Sequence, residues 1–291
     1  MKIDFHVHVT PPDIIKNYKK IGEREAYFNL LSSSPKNKFA TAEDVIDELA
    51  KSGVDQAVIF GFSFNDQGLC REVNDYVIEA VKKYPDKLIG FMSVSPNSTE
   101  TEGEMDRCLA KGLIGIGELF PDGQDFPIEN AKRTVKFAGY CLERDLPVII
   151  HSNEPVGHYY QGKTSTTPVK LDAFVEHNPE LITIFAHWGG GLFFYELMQE
   201  LKEKYRNVYY DTAASPFLYR PDIYRVAREA GALEKILLAS DYPLLSPSEN
   251  RAELSECGLS AEEQKLVRGE NALNLLNMLK RKRSGCSGRN Q

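Results

Sequence analysis

The sequence predicts a parallel α/β protein, a (β/α)8 TIM barrel with an insertion after the first strand and a C-terminal helix. Short β-branched or aliphatic runs recur along the chain, and helix-patterned segments lie between them. Runs such as 148–150 and 182–185 are apolar on both faces, as expected for parallel strands covered by helices. Eight strand-then-helix units in 291 residues favour a closed barrel over an open doubly wound sheet, although counting elements leaves the open sheet as an alternative.

The elements follow one another in a regular order. Strands are predicted at 2–9, 55–60, 88–94, 113–119, 147–151, 182–187, 207–211 and 235–240. Helices are predicted between them, for example at 42–51, 69–84, 130–144, 168–177, 193–205 and 221–230. Thr41 and Asp44 give the first of these helices a capping signal, and Gly53 follows it as a stop.

Two stretches depart from this repeat. Residues 11–39 are long and carry Tyr18, Tyr27 and Phe28, so we expect a lid or helical insertion over the barrel mouth. Residues 281–291 are basic and then rich in Gly and Ser, which predicts a flexible tail. No linker divides the remainder, so residues 1–280 are predicted to form a single domain.

Composition excludes several classes of protein. The net charge of −7 argues against a protein that binds nucleic-acid backbones or anionic membranes. Five scattered cysteines without a C-x-x-C pair indicate reduced thiols rather than a disulfide framework or zinc knuckle. We find no secretory signal pattern and no apolar run long enough for a bilayer, and therefore expect a cytoplasmic protein.

The pair His6-x-His8 lies in the first predicted strand. Side chains alternate faces along a strand, so both imidazoles point the same way while Phe5, Val7 and Val9 point the other way. Two imidazoles that converge from one strand can bind a divalent metal. This pair therefore raises the question of where the remaining ligands lie.

Four more metal-binding side chains end predicted strands. Glu118, His151, His187 and Asp241 end strands four, five, six and eight. Because barrel active sites lie at the carboxyl-terminal face, these side chains are expected on one rim with the histidine pair. Each alone has a structural explanation: Glu118 as an ion-pair partner, Asp241 as a loop cap, a histidine as a hydrogen-bonded core residue. Together they indicate a site for zinc, iron, manganese or a similar ion.

These motifs, in this order, resemble the amidohydrolase superfamily, and specifically its amidohydrolase-2 branch of metal-dependent TIM-barrel hydrolases and decarboxylases. The resemblance spans nearly the whole chain. The matching segments are Asp4-Phe-His6-Val-His8, Gly117-Glu118, Ile150-His151, Ala186-His187-Trp-Gly-Gly190, Ser240-Asp241-Tyr-Pro243 and the closing 269–276.

The resemblance implies roles for all six residues. His6, His8, His151 and Asp241 would bind one metal, and His187 would activate water or bind a second ion. Glu118 would bridge two ions, with His6, His8 and Asp241 on one ion and His151 and His187 on the other. Alternatively, Glu118 would orient a ligand histidine without binding metal. We expect one or two divalent ions per chain, zinc first among them.

The expected reaction is hydrolysis of an amide, ester or lactone in a small molecule. A divalent ion lowers the pKa of a bound water to roughly 7 and polarises a carbonyl. Asp241 would then act as the catalytic proton acceptor and donor, and His187 would assist. Non-oxidative decarboxylation of an aromatic or unsaturated acid is the alternative, favoured by a single metal with an arginine pair. A non-catalytic ligand-binding barrel and a phosphodiesterase are further alternatives.

Specificity should come from loops after the strands. His158 and Tyr160 follow strand five, and Arg220 follows strand seven, where it could pair with a substrate carboxylate or simply lie at the surface. Phe62, Phe64 and Trp188 could form an apolar wall. We expect a small-molecule substrate, no nucleic-acid or membrane partner, and leave homo-oligomerisation open.

Overall fold

The eight strands lie in two parallel sheets that follow the order of the chain, in a computed structural model that describes residues 1–286. One sheet has the order β1-β2-β3 and the other β4-β5-β6-β7-β8. The strands are β1 (Ile3–His8), β2 (Gln56–Phe60), β3 (Leu88–Gly90), β4 (Ile116–Leu119), β5 (Val148–Ile150), β6 (Thr183–Phe185), β7 (Val208–Asp211) and β8 (Ile236–Leu237).

Backbone pairing joins the two sheets at both edges. Met92 forms a parallel bridge with Ile116, and the Met92 amide donates to the Gly115 carbonyl at 2.8 Å. At the other seam Val7 bridges Tyr242, and the Phe5 amide donates to Leu238 at 2.8 Å. The predicted (β/α)8 barrel is confirmed.

Helices cover the strands in the expected alternation. They are α1 (Pro12–Gly22), α2 (Ala26–Ser32), α3 (Ala42–Ser52), α4 (Gln67–Lys83), α5 (Thr101–Ala110), α6 (Ala131–Glu143), α7 (Pro168–His177), α8 (Leu201–Lys204), α9 (Ser215–Leu218), α10 (Ile223–Glu229), α11 (Pro247–Glu256), α12 (Ala261–Lys265) and α13 (Asn271–Cys286). The predicted caps of α3 are present: Thr41 and Asp44 exchange hydrogen bonds, and Gly53 ends the helix at φ 63°.

The helix predicted at 193–205 is largely wrong. Residues His187–Leu197 form 3-10 turns, and only Leu201–Lys204 is α-helical in this stretch. The run Trp188 to Gly191 has φ between 57° and 96°, a left-handed conformation that a right-handed helix cannot contain. The glycines that permit this backbone therefore delay the helix.

The predicted insertion is helical and lies at the barrel mouth. It consists of α1 and α2, and the buried Glu25 carboxylate ahead of α2 accepts the amides of Asn65 (3.1 Å) and Asp66 (2.8 Å) in the loop after β2. The Phe28 ring packs against Phe62 and Phe64 in that same loop. The insertion is thus attached to the carboxyl-terminal side of the barrel.

The last helix closes the opposite end. Its Ala272, Leu275 and Leu279 side chains belong to the apolar cluster that fills the barrel interior, and Arg283 donates to the carbonyls of Ile114 and Asp145. The helix extends to Cys286, so the domain boundary predicted after residue 280 lies inside the helix. The remainder of the predicted tail, 287–291, lies outside the described residues. Within residues 1–286, no helix is long and apolar enough to cross a membrane.

Candidate metal centre

All six side chains predicted to bind metal meet at the carboxyl-terminal ends of their strands. They form two groups, and within each group the candidate ligand atoms lie within 4.8 Å of one another. Five of the six residues are buried, and the His8 side chain is 25% exposed. The first group is His6, His8 and Asp241, and the second is Glu118, His151 and His187.

Glu118 belongs to the second group and also faces the first. Its Oε2 atom is 3.7 Å from His6 Nε2 and 3.8 Å from His8 Nε2. Its Oε1 atom is 2.9 Å from His151 Nδ1 and 3.7 Å from His187 Nε2. One carboxylate oxygen therefore faces each group, which is the arrangement required of a bridging ligand.

Acceptors behind three histidines orient their rings. His6 Nδ1 donates to Asp211 Oδ2 at 2.8 Å, and His187 Nδ1 donates to the Ala213 carbonyl at 2.9 Å. His151 Nε2 donates to the Gly162 carbonyl at 3.0 Å. In each ring, the nitrogen that faces the acceptor carries the hydrogen. The other ring nitrogen therefore has a free lone pair, which points into the cluster as a metal ligand requires.

The electrostatics of the cluster favour a cation. Burial alone would lower the pKa of His6, but the carboxylates of Asp211, Glu118 and Asp241 outweigh burial and raise that pKa to about 10. Burial would raise the pKa of Glu118, but His151 and His6 hold it well below its usual range. The donor set therefore fits a divalent ion, whose positive charge these carboxylates would balance.

Asp211, at the end of β7, is a site residue that the sequence analysis missed. It is fully buried, and besides His6 its Oδ1 atom accepts the amides of His187 (3.0 Å) and Ala213 (3.0 Å). A carboxylate that ends an apolar strand was the available signal. Nothing in the sequence shows that it contacts His6 of β1 and the His187 amide after β6.

Asp4 of β1 hydrogen-bonds the residue that precedes Asp241 in the first group. It belongs to the matching N-terminal motif but received no role from sequence. Its carboxylate accepts the Ser240 amide at 2.9 Å and the Ser240 hydroxyl at 2.5 Å, and thereby connects β1 to the residue before Asp241. Burial raises the pKa of Asp4 to about 6, although the Ser240 hydrogen bonds act in the opposite direction.

Two of the candidate ligands have a left-handed backbone. His187 has φ 56° and Asp241 has φ 67°, conformations that cost about 1–3 kcal/mol for a residue with a side chain. The Asp241 amide donates to the His6 carbonyl at 3.1 Å, and the His187 amide donates to Asp211. Each hydrogen bond fixes the turn that directs the side chain inward.

The predicted substrate residues occupy different surroundings. Tyr160 is half-buried, and its hydroxyl accepts from Asn153 Nδ2 (2.9 Å) and donates to Glu154 Oε2 (3.3 Å). His158 is exposed, with its ring 6.3 Å from that of Tyr160. The Arg220 side chain is 87% exposed and lies 3.7 Å from Asp222, so the structure does not bring it against the cluster.

Aromatic rings surround the cluster on the insertion side. The Phe120 ring lies 4.5 Å from His151, 6.0 Å from Phe62 and 5.4 Å from Tyr27 of α2. Trp188, expected in an apolar wall, is instead fully buried, and its indole donates to Ser215 at 2.9 Å. The insertion therefore contributes an aromatic side to the mouth.

A closed parallel barrel with a histidine–carboxylate cluster at its carboxyl-terminal mouth defines a class, the metal-dependent barrel enzymes. The sequence matches the amidohydrolase family over residues 3–278, and the chain belongs to this family. Its members are enzymes of the amidohydrolase superfamily, both hydrolases and decarboxylases, and bind a divalent metal.

Solved structures share this architecture. 5-Carboxyvanillate decarboxylase from Sphingomonas paucimobilis has a TM-score of 0.75 at 14% identity, covering 94% of this chain and 98% of that one. A manganese-bound dihydroxybenzoic acid decarboxylase from Polaromonas sp. JS666 has a TM-score of 0.68 at 15% identity, covering 95% and 97%. A protein described as a probable 2-pyrone-4,6-dicarboxylic acid hydrolase, from Acinetobacter baumannii, has a TM-score of 0.64 at 17% identity, covering 95% and 99%. At these identities the likeness shows the fold alone.

Proposed function

We propose that this protein is a metal-dependent hydrolase that cleaves an amide, ester or lactone bond in a small molecule. The observation that carries the proposal is the placement of Glu118, whose two oxygens face two separate groups of ligand atoms. That placement supports two ions, zinc first, with His6, His8 and Asp241 around one and His151 and His187 around the other. Bound there, divalent ions would supply Lewis acidity and a water of lowered pKa.

Asp241 is the proposed proton acceptor. The histidines around it hold the pKa of its carboxyl below the usual range, although burial acts in the opposite direction, so the group is ionised at neutral pH. Its Oδ1 atom is 3.3 Å from His8 and 3.6 Å from His6, at the mouth of the barrel. There it can take a proton from the attacking water and return it to the leaving group.

Decarboxylation is the second candidate, since several structural neighbours are decarboxylases. A single metal with an arginine pair would favour that reaction. The placement of Glu118 instead supports two ions, and the Arg220 side chain is 87% exposed and lies beside Asp222. Both features favour hydrolysis.

A substrate screen separates the two reactions. Zinc-loaded protein is incubated with lactones, esters, amides and unsaturated or aromatic carboxylic acids, while acid production and carbon dioxide release are measured in parallel. We expect hydrolysis of at least one lactone, ester or amide, lost in Asp241→Asn and retained in Asp106→Asn, which changes an aspartate on the outer surface paired with Arg144. Carbon dioxide release without any hydrolysis would overturn the proposal.

A further inference from the structure

Glu154 lies in the loop after β5, three residues beyond His151. The Tyr160 hydroxyl donates to the Glu154 carboxylate, at 3.3 Å from Oε2, and Glu154 lies near enough to Tyr219, in the segment that follows β7, to help burial raise the pKa of that tyrosine. The other oxygen, Oε1, is buried and has no hydrogen-bond partner among the described residues. The carboxylate is thus held in place with one acceptor free.

The segment that carries Glu154 is fixed next to the metal centre. The Asn153 side chain accepts the Thr164 amide and hydroxyl, both at 2.7 Å, and donates to Tyr160. Gly190, three residues after His187, packs so closely on the Asn153 backbone that a Cβ there would lie 2.1 Å from the Asn153 carbonyl oxygen. Asp241 is near enough that its charge contributes, after burial and Glu154, to the raised pKa of Tyr160.

The charge of Glu154 has no counter-ion in the described part of the chain. No lysine or arginine there forms an ion pair with it. Lys163, in the same loop, donates its ammonium to the carbonyls of Val156 and His158 and lies over the Tyr160 ring. A buried carboxylate oxygen without a partner is unfavourable, and a cationic donor satisfies it best.

We propose that Glu154 is a specificity-determining residue that binds a protonated amine of the substrate, while the metal centre holds the group to be hydrolysed. This inference rests on the proposed function and narrows it to amino-substituted substrates. Tyr160 positions the carboxylate through Oε2, which leaves Oε1 as the acceptor for the ammonium group.

Titration calorimetry with pairs of carboxylates, one with an amine and one without, tests the inference through binding affinity and needs no catalytic turnover. Zinc-loaded protein is titrated with the series from 3-aminopropanoate to 6-aminohexanoate and with propanoate to hexanoate, which lack the amine. We expect at least one amino acid to bind about tenfold more tightly than its matched carboxylate, as a charge-assisted hydrogen bond allows. In Glu154→Gln this preference should fall to within about twofold, while the affinity for the unsubstituted carboxylates stays unchanged.

Glu129→Gln is the matched control, because Glu129 also has a buried oxygen without a partner but lies in a separate cleft between Pro121 and Lys170. It should retain the preference. Tyr160→Phe removes the hydroxyl that donates to Glu154, and it should weaken the preference for the amino acids about threefold. If Glu154→Gln does not fold, Tyr160→Phe tests the inference in its place. A preference that is absent in the wild type, or that persists in both variants, overturns the inference and leaves the proposed function standing. Failure of every compound in both series to bind also overturns the inference, whereas the proposed function is overturned only by the substrate screen.

Discussion

Single hydrogen bonds behind the candidate metal centre decide which nitrogen of three of its histidines faces the cluster. Asp211 fixes residues of both groups, because it accepts one hydrogen bond from the His6 ring and another from the His187 amide. The sequence predicted the inward-facing residues because each ends a strand. It could not predict which acceptor lies behind each ring, since those contacts join strands far apart in the chain.

Asp211→Asn should weaken metal binding. An amide nitrogen in place of Oδ2 cannot accept the His6 hydrogen, so the ring loses the bond that fixes its tautomer. We expect the zinc affinity to fall about 10- to 100-fold, as for other acceptors behind metal-bound histidines. Competition with a chromogenic chelator measures this, with Asp106→Asn as the control. Equal affinities in wild type and Asp211→Asn would show that Asp211 does not orient His6.

His6→Ala and Asp241→Asn should each lose metal and at least ~10²-fold of hydrolytic activity, because both metal chemistry and proton transfer depend on them. Elemental analysis and turnover of the best substrate provide the measurement. His177→Ala, which changes an exposed histidine at the end of α7, should leave both unchanged. Full metal content with full turnover in the two site variants would remove these residues from the site.

Among the secondary-structure elements, the segment after β6 was the least predictable. Its apolar pattern at 193–205 resembles a helix, but the left-handed run from Trp188 to Gly191 precedes it and redirects the backbone. By contrast, the capping residues of α3 lie within a few positions of the helix ends, so the sequence alone predicted them. The structure confirms both caps. The helical insertion was also predictable from length and aromatic content, whereas its attachment through Glu25 depends on a distant loop.

Gly190→Ala should destabilise the fold and distort the site. The residue has φ 57°, and its new Cβ would lie 2.1 Å from the Asn153 carbonyl oxygen, so backbone must move. The left-handed conformation alone costs about 1–3 kcal/mol, and the clash adds to it. Urea unfolding measures the loss of unfolding free energy.

Gly139→Ala is the matched control, because Gly139 lies inside α6 with nothing within 4 Å of the new Cβ. It should stabilise the protein by about 0.5–1 kcal/mol through helix propensity. If the two alanine variants have the same stability, the close contact between Gly190 and Asn153 is not structurally important.

At the scale of the whole molecule, the alternation of apolar runs and helical segments predicted the barrel, and the site followed from the rule that strand ends meet at one face. The order of the strands was therefore accessible from sequence. The positions of Arg220 and Trp188 were not, because exposure of a loop side chain and burial of a rim aromatic depend on how neighbouring loops pack.

The pH dependence of stability should depend in part on Glu253 of α11. Burial raises the pKa of this carboxyl from 4.5 to about 7, while the hydrogen bond that the Ser215 hydroxyl donates to it at 3.2 Å lowers it. The folded state thus holds the proton more tightly than the unfolded chain. The contribution of protonated Glu253 to the free energy of unfolding is therefore fully present below about pH 4.5, and it is lost as the pH rises through about 7. Glu253→Gln cannot ionise, so its unfolding free energy relative to wild type should increase from about pH 5 to about pH 8. Urea unfolding across this range tests it, and a difference that is independent of pH would contradict it.

The most direct test of the central claim is the metal content of the folded protein. Protein stripped with a chelator, reloaded with excess zinc and desalted is analysed for zinc per chain, alongside Glu118→Gln. We predict about two ions per chain in the wild type and a loss of at least one in Glu118→Gln, because this carboxylate faces both groups of ligands. A folded wild-type protein that binds one ion or none, or a Glu118→Gln variant that keeps two, would contradict the account.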